Sequence, residues 1–125
     1  MNKNYTSKQI EKYKRQKYIS TLNKCTKNLY KLFKDEQSSY NTYKKRFILL
    51  KQELDKLENI RLDTEYLKKT KEYIDNLFIS TIKNKITNEN DFQSIKNSQL
   101  TSLNRLQKMK NKTKYNKMKH KDNFF

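Results

Sequence analysis

The sequence reads as an all-α protein, with three to four helices forming a hairpin or small bundle. Two features of the chain lead there. Glycine and proline are both absent from its 125 residues, and tight β-hairpins and sharp helix stops usually draw on them. Between Tyr40 and Leu57 the apolar residues Tyr40, Tyr43, Phe47, Leu50, Leu54 and Leu57 recur at alternating steps of three and four. That spacing keeps one seam on one face of a helix. A rod of this length extends about 27 Å and cannot bury its seam alone.

The elements follow in order. Thr6, with Gln9 three residues later, fits a capping box. A first helix then runs to about Phe33 on the stripe Ile10, Tyr13, Tyr18, Leu22, Cys25, Leu29 and Leu32 or Phe33. Asp35-Glu36-Gln37-Ser38-Ser39 is a break in which Ser38 or Ser39 caps the central rod, although one longer helix is the alternative. Arg61-Leu62-Asp63-Thr64 is a second break, with Asp63 or Thr64 as the cap. The third helix carries Leu67, Thr70, Ile74, Leu77, Phe78 and Ile82, a stripe wide enough for two neighbours. Thr87-Asn88-Glu89-Asn90-Asp91 interrupts the helices most clearly, because Asn and Asp side chains compete for the backbone. A fourth helix starts near Asp91 with Phe92, Ile95, Leu100, Leu103 and Leu106. Beyond Met109 the alternation of Lys with polar residues offers no core face, and the tail is expected to have no structure of its own in free solution.

Charge divides the chain into three parts. Residues 1–34 hold ten bases and one acid, residues 35–91 eleven of each, and residues 92–125 nine bases and one acid. The net +17 therefore resides in the two ends, a basic N-terminal helix and a basic C-terminal helix with a flexible tail. They flank a neutral helical hairpin core at 35–91. The absence of Gly and Ala, with abundant Lys and Asn, follows A+T-rich codons. That bias does not explain an excess of Lys over Glu. The middle mixes signs at i,i+4, as in Lys51/Asp55 and Lys68/Glu72, which suits a solvated helix. Like charges at the two ends repel, and a polyanion relieves that repulsion. Tyrosines and phenylalanines interleave with the terminal lysines (Tyr5, Tyr13, Tyr18, Tyr30, Tyr115, Phe124 and Phe125), which suits phosphate contact with base stacking. An anionic membrane surface would call for a stronger continuous apolar face. RNA is favoured over DNA because no helix-turn-helix, zinc-finger or RNP-type signature is present, and long basic helices suit backbone recognition of folded RNA.

Other chemistry finds little support. Cys25 is the single cysteine and reads as a small buried filler. His120 sits in the basic tail without a second His or Cys to build a metal site. No Gly-rich phosphate loop exists, and Glu53 and Glu58 lie on faces shared with lysines. An enzyme is not expected, nor a cofactor or a small-molecule substrate. No stretch approaches the ~20 apolar residues of a transmembrane helix. A secretory signal is not expected either, and a mitochondrial presequence is weakly supported because Glu11 interrupts a start with Arg15 as its one arginine.

The segment Ser7-Lys8-Gln9-Ile10-Glu11-Lys12-Tyr13-Lys14-Arg15-Gln16-Lys17-Tyr18, continued by Ile19-Ser20-Thr21-Leu22, resembles the start of the bacterial- and plastid-type small-subunit ribosomal protein twenty family. Ile82-Lys83-Asn84-Lys85, or else Ile95-Lys96-Asn97 with Asn104-Arg105-Leu106, is similar to that family's second signature, although the family's Gly and His are missing there. The resemblance implies a small helical bundle whose basic first helix lies against ribosomal RNA.

The expected function is structural binding to RNA, within a ribosome or similar ribonucleoprotein, alongside neighbouring proteins. The expected setting is intracellular and ribosome-associated, with cytoplasm, plastid and mitochondrion left open. Phosphate contacts are expected from Lys8, Lys12, Lys14, Arg15, Lys17, Lys24 and Lys27 in the first segment. In the last segment they are expected from Arg105, Lys108, Lys110, Lys112, Lys114 and Lys117. The first helix is expected to be only partly formed until RNA orders it. The alternative is a coiled-coil interaction module that forms a homo-oligomer, or docks on another helix, through Tyr40, Tyr43, Phe47, Leu50, Leu54 and Leu57, its basic ends serving localisation or solubility. DNA binding is the third reading.

Overall fold

The computed structural model describes residues 7–57, 62, 64–84 and 88–122, with side chains to Lys112. Four α-helices follow one another: α1 (Ser7–Lys34), α2 (Tyr40–Asp55), α3 (Glu65–Phe78) and α4 (Glu89–Asp122). A single π-helical turn, Ile79–Lys83, extends α3. No strand occurs among the described residues.

The breaks are set by side chains that take up the first free amides of the next helix. Ser39 accepts from the Thr42 amide at 3.3 Å, Thr64 from Leu67 at 3.2 Å, and Asn88 from Asp91 at 2.8 Å. Of the two capping candidates in each of the first two breaks, Ser39 and Thr64 therefore cap, whereas Asp63 and the Thr6 half of the proposed capping box lie outside the described residues. Ser38 turns inward instead, its hydroxyl donating to the Leu32 carbonyl.

Each helix runs antiparallel to the next. Along α1 and α2, Phe33 stands 5.3 Å from Tyr43 and Lys24 pairs with Glu53. Along α2 and α3, Tyr43 meets Thr81, Phe47 meets Phe78 and Lys51 meets Asp75. Tyr73 reaches Gln99 between α3 and α4 at 2.8 Å. The cycle closes between α4 and α1, with Phe92 beside Phe33 and Gln107 near Asn23. The result is an up-down-up-down bundle.

Its core takes residues from every helix. They include Leu22, Cys25, Leu29 and Phe33 from α1; Tyr43, Phe47, Leu50 and Leu54 from α2; Leu67, Ile74 and Leu77 from α3; and Phe92, Leu103 and Leu106 from α4. The 3–4 seam of α2 is thus buried within the chain. Tyr43 and Phe47 are fully enclosed, and Tyr40 and Leu57 pack at its edges. The surface that a homo-oligomer would need is consequently occupied by the protein's own helices. Phe33, Tyr40, Tyr43, Phe47, Phe78 and Phe92 form one aromatic cluster with neighbouring centroids 5.0–6.3 Å apart, tilted against one another except for the edge-on pair Phe47–Phe78, and none of them a face-to-face sandwich, which ring quadrupoles disfavour.

The π turn has a local cause. The hydroxyls of Thr81 and Ser80 both donate to the Leu77 carbonyl, at 2.7 and 3.1 Å, and compete with the backbone for it. The helix widens, with Asn84 N–H donating to Ile79 O at 2.9 Å. Tyr40 OH donates to the Thr81 carbonyl at 2.6 Å and Tyr43 OH bonds the Thr81 hydroxyl at 2.8 Å. One threonine thereby ties α2 to the end of α3.

Two expectations need correction. The segment after Met109 is not structureless: the backbone of α4 is helical to Asp122. Lys, Met and Gln are good helix formers, and with no Gly or Pro in the sequence nothing stops the helix once packing has nucleated it. The apolar stripe of α1 also does not pack along its whole length. Tyr18 onward is buried, whereas Ile10 is 43% and Tyr13 65% exposed.

Candidate nucleic-acid interface

Antiparallel packing of α1 and α4 brings the two basic segments to one end of the bundle, where α2 leads into α3. No residue from 7 to 17 is buried, nor any from 107 to 112. Residues 7–17 form a helical extension of about 16 Å and residues 107–122 one of about 24 Å. The first carries Lys8, Lys12, Lys14, Arg15 and Lys17 against Glu11, the second seven lysines against Asp122. Sequence separation conceals this proximity, and only the topology creates it.

The thirteen residues expected to meet phosphate fall into distinct positions. Lys8, Lys12 and Lys17 are exposed on the α1 extension, and Lys14 and Arg15 are half-buried there. Lys24 lies on the bundle proper and pairs with Glu53 at 3.2 Å, so part of its charge is already answered. Lys27 and Lys110 line one groove between α1 and α4. Arg105 borders another between α3 and α4. Lys108 and Lys112 are exposed. The side chains of Lys114 and Lys117, like those of Tyr115 and His120, lie outside the described residues.

The middle of the chain neutralises itself. Lys51 bonds Asp55 at 2.6 Å and Asp75 at 3.2 Å, and Lys71 bonds Asp75 at 2.7 Å. Burial opposes the charge on Asp75, but the Lys71 and Lys51 ammonium groups outweigh it and hold its pKa below the usual carboxylate value. Burial likewise opposes the charge on Lys51, and its bonds to Asp55 and Asp75 prevail, raising its pKa. The i,i+4 pair Lys51/Asp55 read from the sequence is therefore present, extended into a four-residue network. No group of His, Cys, Asp and Glu that could hold a metal occurs among the described residues. No helix among them is long and apolar enough to cross a membrane.

One lysine escapes the sequence reading. Lys96 is 6% exposed, and its ammonium donates to the carbonyls of Asp35 and Ser38 and stands 5.0 Å over the Phe92 ring. Its position is a readable signal. Phe92, Lys96, Leu100 and Leu103 follow one helical stripe, and a cation inside an apolar stripe needs carbonyls or a carboxylate to receive it.

The architecture defines a helical bundle whose α2–α3 half, residues 35–91, carries no net charge and whose α1 and α4 extensions form a forked basic end. In comparisons with protein-family models, curated proteins and solved structures, none matches this chain.

Proposed function

We propose that this protein is a structural RNA-binding component of a ribonucleoprotein, holding folded RNA at the forked end of its bundle through contacts to backbone phosphates. The observation that carries this reading is the convergence of two basic helical extensions at one end of a body whose middle segment, residues 35–91, has equal numbers of acids and bases. Lysines one turn apart on a helix recur at about 5–6 Å along its axis, as at Lys8 and Lys12 of one extension and Lys108 and Lys112 of the other, a repeating cationic edge suited to a polyphosphate rather than to a single anion. Helices without a base-reading motif favour recognition by shape and backbone, as folded RNA requires. The likeness of residues 7–22 to the small-subunit ribosomal family supports the ribosome as the particle, with a neighbourhood of ribosomal RNA and proteins.

Salt titration of binding to a structured RNA tests this. The affinity should fall steeply with salt. Replacing the exposed Lys8, Lys12 and Lys17 with Gln should reduce the log–log slope by roughly 0.7–0.9 for each phosphate no longer neutralised, with the helical signal and melting temperature little changed. Binding that ignores salt and these substitutions, or competition by duplex DNA equal to that by RNA, would overturn the proposal.

A further inference from the structure

Between α1 and α4, with Tyr66 of α3 in its lining, lies a groove of about 550 Å³, within the size range of small-ligand sites. Its walls differ from the rest of the surface. Tyr30 of α1 and Tyr66 of α3 contribute aromatic rings, and Leu103 and Leu106 of α4 the apolar base. Tyr66 is held in place by its hydroxyl, which donates to Asn23 Oδ1 at 2.8 Å. Asn104 and Gln107 bring carboxamides to the rim. Lys27 approaches from one wall and Lys110 from the other, and neither enters an ion pair among the described residues. Lys34, one turn further along α1, stands 5.7 Å over the Tyr30 ring. Among the described residues, no acidic side chain lines it.

We propose that this groove holds one unpaired nucleotide of the bound RNA, its base against the tyrosines and its phosphate between Lys27 and Lys110. The inference rests on the RNA-binding reading above and goes further, since the extensions alone would read only backbone. Each feature answers one part of a nucleotide. Flat aromatic rings receive a base face. Carboxamides supply the paired donor and acceptor that a base edge matches. Cations on opposite walls, with no acid between them, receive the phosphate. A base offers its face and edge together only when it has left the helical stack, so the occupant is an unpaired or bulged nucleotide rather than a duplex. The groove lies between the elements that carry the extensions, and Lys110 belongs to one of them, so RNA gripped there lies within reach of it.

The test compares a fully paired RNA hairpin with the same hairpin carrying a single bulged nucleotide, at one salt concentration. The wild type should bind the bulged RNA on the order of tenfold more tightly, the size of one base–aromatic stack. Tyr30→Leu should remove most of that preference while leaving affinity for the paired hairpin unchanged. Asn104→Ala serves as a second variant, because residue 104 is exposed and alanine suits a helix, so the fold is kept. Equal binding of the two RNAs by the wild type, or a preference that survives both substitutions, overturns the groove while RNA binding by the extensions stands. Binding of neither RNA overturns both readings.

Discussion

Lys96 Nζ lies 2.9 Å from the carbonyl oxygens of both Asp35 and Ser38, so a buried ammonium from α4 closes the connection between α1 and α2. The Ser38 carbonyl also accepts from Gln93 at 3.0 Å, and Glu89 receives the Tyr40 amide at 3.1 Å. The first turns of α4 therefore complete the hydrogen bonding of the α1–α2 connection and the start of α2, some 49 to 61 residues earlier in the chain. Lys96→Ala would leave the Asp35 and Ser38 carbonyls without their charged donor. It should lower stability by about 1.5–3 kcal/mol, measured by urea unfolding, with part of that stability regained in Lys96→Arg.

Phe47 is fully buried at the centre of the α2 seam, against Tyr43 and Phe78. Phe47→Ala should destabilise the protein by about 3–5 kcal/mol. The unfolding midpoint should not depend on protein concentration, because the seam packs inside one chain. A midpoint that rises with concentration would place the seam between chains instead.

Asp75 titrates below its ordinary value because Lys71 and Lys51 outweigh its burial. A carboxylate with a depressed native pKa adds stability above its unfolded pKa of about 3.9, and that stability is lost as pH falls through the native value. Wild type should exceed Asp75→Asn in stability at neutral pH, and the gap should close on acidification below about pH 4. A gap independent of pH would show that the network contributes nothing through the charge on Asp75.

Burial pushes the Cys25 thiol up to about 12, and the residue is fully enclosed. Thiolate is the reactive form. Alkylation in the native state at neutral pH should therefore be slow and follow the opening of the bundle, with rapid labelling in denaturant. Fast native labelling would contradict the packing around α1.

Much of this architecture is legible in the sequence, and the exceptions have physical causes. Tyr43, Phe47, Leu50 and Leu54 follow a strict 3–4 spacing, so the central helix and its buried face can be read directly. Ser39, Thr64 and Asn88 cap where polar breaks stand. The helical course of α4 beyond Met109 is hidden because apolar periodicity reports burial, not helicity, and a helix without a core face leaves no periodic trace. Ile10 and Tyr13 carry helical spacing yet stay exposed, since periodicity does not disclose where a partner helix ends. Lys96 blends into the basic C-terminal third, although its place in the stripe of Phe92 and Leu100 marks it as buried. The groove between Lys27 and Lys110 has no sequence signature at all. It depends on the antiparallel closure of α1 on α4, a relationship between residues some eighty positions apart.

RNA binding at the forked end is the central claim. Ultraviolet cross-linking of the protein to a bound structured RNA, followed by mass-spectrometric mapping of the modified peptides, reads the RNA-facing surface directly. Cross-links should concentrate in residues 7–17 and 107–122, with the body of α2 unmodified. Cross-links spread over α2, or none in either extension, would contradict the claim.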